Sequence, residues 1–504
     1  MSSALSARRP RAQAARALHA AGWWPLVAIV LLAAALRFST LDLQSFWYDE
    51  AFTPVHVLHA GLASTMRSMV HSENSPPLWY LLTWLDVRLF GDGAIALRTP
   101  SAIAGVLTVP VAWAIGGELC GRRCALVAAA LVAVNPLFVW YSQEARVYAL
   151  FALTCAVAML CCLRARREPT RGRMAAFALS GSLALLTHYF SAFLLAGMAL
   201  WLLRDRASRR AALGAITVLA VVGLALLPLI VAQGGHGTQW IGRWALSGRL
   251  QAIPQYYLTG YSGAPLGHGV ELLVALPLVA GLLLGARQLR GSGGAAAALP
   301  ALLIAGTGIL IPLALAVVGA DYLAPRNLVA AMIPVTAAAA VLLAAPGTGR
   351  APWALAAASA VAFLAVSVDV DLSPRLQRGN WRGVAHALGR GGAARALSTV
   401  ELGAAPLEYY LPGLRNLRRG AAVNVDEIDE TGYAPLRASA GRAPASGFSL
   451  SERLDVDGLI VYRFLAATPR AVSEAALRRH VITLAHPEVL VPGSAHVTSA
   501  AARG

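Results

Sequence analysis

Lysine is absent from this chain, and all 42 basic residues are arginine. Alongside so much alanine, that usage reads as GC-rich coding, so arginine number alone says little about function. Charge is scarce too: 13% of the 504 residues are charged, 57% are apolar, and mean hydropathy is +0.60. A soluble domain carries about twice that share of charge. The shortage excludes a soluble protein and leaves a polytopic membrane protein. A net charge of +17 would point to nucleic acid in a soluble chain. Here the arginines gather in loops between apolar runs, so no nucleic-acid partner is expected. Cysteine is sparse and odd in number: Cys120, Cys124, Cys155, Cys161 and Cys162. None lies in a long external segment, so no disulfide framework is indicated. Cys120-x3-Cys124 lacks the further His or Cys that zinc needs. No internal repeat is visible, which disfavours inverted-repeat transporters.

Long apolar runs are what the chain has instead. A bilayer core takes about 20 apolar residues per helix. Eleven spans are expected: 22–40, 96–117, 124–141, 147–163, 174–190, 191–203, 211–232, 270–286, 297–318, 327–345 and 352–368. With that number the arginine-rich loops around Arg8, Arg122, Arg166, Arg206, Arg287 and Arg350 all fall on one side, as the positive-inside rule requires. The basic N-terminus, 1–21, is then cytosolic. The run Trp23–Leu36 reads as a first anchor rather than a signal peptide. Residues 22–368 form the transmembrane domain with a first external loop at 41–95, and 369–504 lie outside. In that tail, apolar runs at Leu397–Leu402, Ala421–Val425 and Gly458–Phe464 alternate with helical patterns at Trp381–Leu388, Pro406–Leu411 and Val472–His480. This alternation predicts a small α/β domain.

The external segments carry the candidate chemistry. Asp49-Glu50 follows the first span, and carboxylates beside a membrane usually serve a function or sit in water. One of them has the makings of a general base; the bland alternative is a solvated pair. Trp47 and Tyr48 suit either a sugar platform or an interfacial aromatic belt. In Ser75-Pro76-Pro77-Leu78-Trp79-Tyr80 the prolines precede an apolar helix too interrupted to span, suited to the membrane surface. Glu144, Arg146 and Tyr148 lie in a polar turn between spans. Arg146 is on the wrong side to be a topology signal, so it is either a phosphate ligand or the partner of Glu144. Arg98 and Arg326 are further external-face arginines at span ends, Arg326 following Tyr322. Singly each could be snorkelling; together they suit an anionic headgroup. His188, at the external end of the fifth span, is a ligand contact or a packing histidine. The Asp-x-Asp patterns at Asp369 and Asp455 are rejected as nucleotide-sugar sites, being too common and placed outside.

Taken in order, these motifs resemble the bacterial protein O-mannosyltransferase-like family within the GT-C glycosyltransferase superfamily. The matching pieces are Trp47-Tyr48-Asp49-Glu50, Pro76-Pro77-Leu78-Trp79-Tyr80, Leu97-Arg98-Thr99-Pro100-Ser101, Tyr141–Leu150, Thr187-His188-Tyr189-Phe190, Pro325-Arg326-Asn327-Leu328 and Asn380-Trp381-Arg382-Gly383. The resemblance covers the membrane part and thins over the tail. It implies a mainly α GT-C fold and transfer from a polyprenyl-phosphate sugar, mannose by family default, to an acceptor hydroxyl. It implies a bacterial inner-membrane location with the active site outside. Asp49 would be the base and Glu50 an assistant. Arg98, Arg146 and Arg326 would meet the donor phosphate, while Trp47, Tyr48, Pro77, Tyr80, Glu144, Tyr148, His188 and Tyr322 would line the groove. No cofactor is required by the sequence, and a divalent metal has no support in it. Ser75 replaces a histidine common in relatives, and Asp321 an arginine found in some, which bears on donor or acceptor choice. A lipid transporter or flippase is the rival class. It explains neither the acidic pair in a long loop nor the α/β tail.

Overall fold

The computed structural model describes residues 22–499 except 264–265, 292, 390, 393, 481, 484–486 and 496. The expected basic N-terminus lies outside them. Two compact units emerge: Met1–Leu41 with His59–Leu372, and Asp42–Leu58 with Ser373–Gly504.

The first helices are α1 (Trp24–Phe38), α2 (Tyr48–Phe52), α3 (Leu62–Ser72), α4 (Leu78–Phe90) and α5 (Ala94–Cys120). Next come α6 (Arg122–Val134), α7 (Pro136–Ser142), α8 (Tyr148–Arg167), α9 (Arg171–Thr187), α10 (Ser191–Leu203) and α11 (Arg206–Ala232). Then follow α12 (Gln239–Arg243), α13 (Leu246–Gly263), α14 (His268–Leu289), α15 (Leu299–Val317), α16 (Met332–Ala344) and α17 (Arg350–Leu372). Of these only α2 belongs to the second unit.

The first unit is a multi-pass helical bundle. Among the described residues, seven helical segments are long and apolar enough to cross a membrane, and the bent pair α6–α7 makes an eighth. Helices α1 and α10 are apolar but span only 15 and 13 residues. Every expected span coincides with a helix, but length and composition alone do not establish eleven crossings. The division between the fifth and sixth spans is real: His188 is extended and separates α9 from α10. Segment 325–344 is central, 83% of its apolar window being buried, whereas only 17% of that in α11 is. The apolar surface of α11 is therefore left for lipid.

The bend between α6 and α7 shows how this unit tolerates a broken helix. Pro136 has no N–H to give to the ladder. Asn135 caps the new helix, accepting from the N–H groups of Leu137 (3.0 Å) and Phe138 (3.4 Å), and the axes diverge by 56°. That leaves the carbonyls of Val132 and Ala133 without their helical donors, where no water can serve them. Arg37 of α1, wholly buried, donates to Ala133 O (2.8 Å), Val132 O (3.3 Å) and Ser142 Oγ (3.1 Å). Gly105 of α5 makes the room, since a Cβ there would lie 2.0 Å from Ser142 Oγ and 2.9 Å from Arg37 Nε.

One local feature departs from the sequence reading. Cys120 and Cys124 are joined as a disulfide, with Cα atoms 5.9 Å apart. Gly121, at φ +94°, turns the chain between α5 and α6 and brings the two together. A spacing of four residues does not reveal that turn.

The second unit adds α18 (Trp381–Leu388), α19 (Ala404–Tyr410) and α20 (Glu474–Arg479) to one sheet. Its strands are β1 (Arg395–Val400), β2 (Leu414–Asn416), β3 (Ala421–Tyr433), β4 (Ser449–Val456), β5 (Leu459–Ser473), β6 (Pro487–Pro492) and β7 (Val497–Ser499). The order is β2-β6-β1-β3-β5-β4, with β7 on the start of β3, and only β1 and β3 run parallel. Period-two alternation builds a core on each face. Ala396, Ile460, Phe464, Val489 and Val491 join one, with Leu477 of α20. Leu397, Leu459, Val461 and Leu490 join the other, with Trp381, Val384 and Leu388 of α18. The sequence runs anticipate β1, β3 and β5; β4, with alternating exposure, and the short β2, β6 and β7 escape them.

Candidate functional site

In the second unit the chain enters α2 from an extended Trp47, and Asp49-Glu50 fall in its first turn. Successive helical residues point about 100° apart, so the two carboxylates have separate surroundings. Glu50 is fully buried, with Oε2 3.5 Å from Arg378 Nε. Asp49 is half-buried, as are Trp47 and Tyr48. Tyr48 packs against Phe52, ring centroids 5.8 Å apart. Arg378 was not singled out from the sequence. It stands two residues before the quoted Asn380-Trp381-Arg382-Gly383 motif, which is the signal that could have found it.

In the first unit the arginines separate. Arg98 is buried and donates from Nη1 to Leu41 O at 2.9 Å, closing the end of the first helical segment. Arg146 makes a two-pronged bond to Glu73, 3.0 Å from Nη1 to Oε1 and 3.2 Å from Nη2 to Oε2. The sequence reading considered Glu144 as that partner. Glu73 escaped it because the acid lies 73 residues away. Tyr80, at the start of α4 just after Pro77, is buried, as is Glu73, and the charges of Glu73 and Arg146 both reach it.

Several predicted residues do come together. His188 stacks on Phe151 at 4.3 Å and lies 6.1 Å from the ring of Tyr148. Its Nδ1 accepts from Phe190 N–H at 3.2 Å. The proton of the neutral ring is then on Nε2. The charges of Arg146 and Arg326 both reach His188, and those of Glu144 and Arg326 both reach Tyr141. Arg326 is half-buried and lies 4.8 Å over the ring of Trp240. Tyr322 is 47% exposed. Before it, Asp321 takes a two-pronged bond from Arg249 at 2.6 and 2.7 Å. Those donors, and the N–H of Leu323, hold its carboxyl below the usual value of 3.8. Among the described residues, no three His, Cys, Asp or Glu side chains gather as a metal site.

The chain's fold is similar to that of ArnT from Cupriavidus metallidurans in the apo state, with a TM-score of 0.55 over 88% of this chain and 98% of that one. The chain has the GT-C fold. Sequence identity is only 13%, so the likeness is one of fold. The same protein bound to undecaprenyl phosphate matches at a TM-score of 0.54, again 13% identical over 88% and 98%. Residues 74–232 match the family model described as dolichyl-phosphate-mannose-protein mannosyltransferase. No curated protein matches the chain in sequence. The resemblance to protein O-mannosyltransferase-like GT-C proteins therefore holds. The matched stretch includes Pro77, Tyr80, Arg98, Glu144, Arg146, Tyr148 and His188, and leaves out Asp49, Glu50, Tyr322 and Arg326.

Proposed function

We propose that this GT-C protein transfers a sugar, mannose in the first instance, from a polyprenyl-phosphate donor to an acceptor hydroxyl at the outer face of a bacterial inner membrane. The 369–504 segment lies outside in this reading. The observation that carries it is the family match across 74–232, the stretch with Arg98, Arg146 and the buried polar cluster. The ArnT structure with undecaprenyl phosphate supports a lipid-phosphate donor.

In the proposed step the acceptor oxygen bonds to the anomeric carbon as its bond to the phosphate oxygen breaks. Asp49 takes the hydroxyl proton, and polyprenyl phosphate leaves from the opposite face, inverting the centre once. Charge grows on the leaving phosphate, where arginines in a partly dehydrated site stabilise it. Glu50 orients rather than reacts.

The test uses purified full-length protein in detergent, radiolabelled polyprenyl-phosphate mannose and a membrane extract as acceptor pool. Label moving into a product is the expected result, and the product identifies the acceptor. A folded protein that transfers neither mannose nor any of a panel of polyprenyl-linked sugars contradicts the reading and turns attention to lipid flux.

A further inference from the structure

Segment 42–58 is held by the C-terminal α/β unit at three places. At its start, Ser45 Oγ donates to Gly379 O (2.7 Å) and accepts from Trp381 N–H (3.0 Å). Phe46 N–H donates to Tyr410 Oη (2.8 Å), and its ring sits 4.8 Å from that of Tyr409. In the middle, Glu50 meets Arg378 at 3.5 Å; the Arg378 N–H also donates to Gln44 Oε1 at 3.0 Å. At the far end, His56 Nε2 lies 2.8 Å from Glu408 Oε2.

Three successive residues of α19, Glu408, Tyr409 and Tyr410, thus touch both ends of the loop, and Arg378 holds its centre. The Glu50 and Arg378 side chains are 0% and 3% exposed. A charge so buried needs its partner. With Glu50 pointed inward, the turn of α2 aims the neighbouring Asp49 about 100° away from it.

We infer that Arg378 is the positioning residue for the acidic loop, and that the α/β unit serves the reaction by holding 42–58 in one conformation. This rests on the proposed function, with Asp49 as base. Arg378 itself touches no reacting atom.

The experiment compares Arg378→Gln with wild type in the full chain. Amide hydrogen exchange across 42–58 rises about tenfold or more as local opening becomes easier, while exchange in α5 and α8 stays unchanged. The kcat falls about 100-fold, as a small misplacement of a reacting group allows, with donor KM within about twofold. Adding Glu50→Gln removes the stranded charge and restores melting temperature, but not kcat. Should Arg378→Gln fail to fold, Tyr410→Phe, which deletes one bond to the loop, shows the same pattern more weakly. Wild-type exchange over 42–58 in a folded variant overturns the inference, as does a kcat that recovers with stability. Exchange needs no substrate, so a wild type that transfers no sugar defeats the proposed function while the clamp is still judged on its own.

Discussion

Glu50 and Arg146 are both buried charges whose partners come from distant sequence, yet they sit in different units and are held differently. Arg146 is gripped by two bonds to Glu73, at 3.0 and 3.2 Å. Glu50 meets Arg378 in a longer 3.5 Å contact. Each has a more open counterpart of its own sign. Asp49 is half-buried beside Glu50, and half-buried Arg326 shares with Arg146 an influence on His188. Under the proposed function this difference assigns a division of labour: the more buried charge of each pair holds the scaffold, and the half-buried one serves the substrate.

The comparison breaks most sharply at Glu73. Replacing it with Ala removes the two-pronged partner of a buried Arg146 guanidinium, a loss of up to about 3–5 kcal/mol. A steep fall in melting temperature is expected, and adding Arg146→Met restores much of it. Equal melting of Glu73→Ala and wild type would show that the pair is not scaffold. Arg326→Ala sharpens the opposite side. Its stability should change by less than about 0.5 kcal/mol, while donor KM rises. A variant that melts early with unchanged KM would place Arg326 with the held group. The smallest effect concerns pH. Asp321 has its pKa depressed by Arg249, so its stabilising contribution is present above 3.8 and lost as pH falls through its lower folded value. The stability advantage of wild type over Asp321→Asn should hold at neutral pH and shrink only below about 3.8. A gap that closes nearer pH 6 would contradict the assignment.

Much of the helical plan was legible because span length and loop charge are local signals. The tail yielded Trp381–Leu388, β1, β3 and β5 because their apolar patterns are local too, whereas the inner strand β6 is short and leaves no such run. Strand β4 alternates with solvent and leaves a weaker trace. The candidate site is legible as a set of residue types, with Asp49, Arg146 and His188 proposed from motif alone. The long-range pairings around them are not. Glu73, Arg378 and Arg37 act through contacts with residues 73, 328 and 95–105 positions away, and no sequence period encodes such pairings. Arg37 is instructive. A lone arginine in an apolar run looks functional or snorkelling, and here it replaces the helical donors lost at Pro136.

The division between held and open carboxylates comes down to one side-by-side assay. Asp49→Asn and Glu50→Gln, both purified and shown to melt as folded proteins, are given radiolabelled polyprenyl-phosphate sugar and acceptor. The account predicts that Asp49→Asn loses turnover by about 10²–10⁴-fold, the range of general-base catalysis, while Glu50→Gln loses less and shows its defect in loop exchange. Near-normal turnover by Asp49→Asn, with Glu50→Gln inactive, would contradict it.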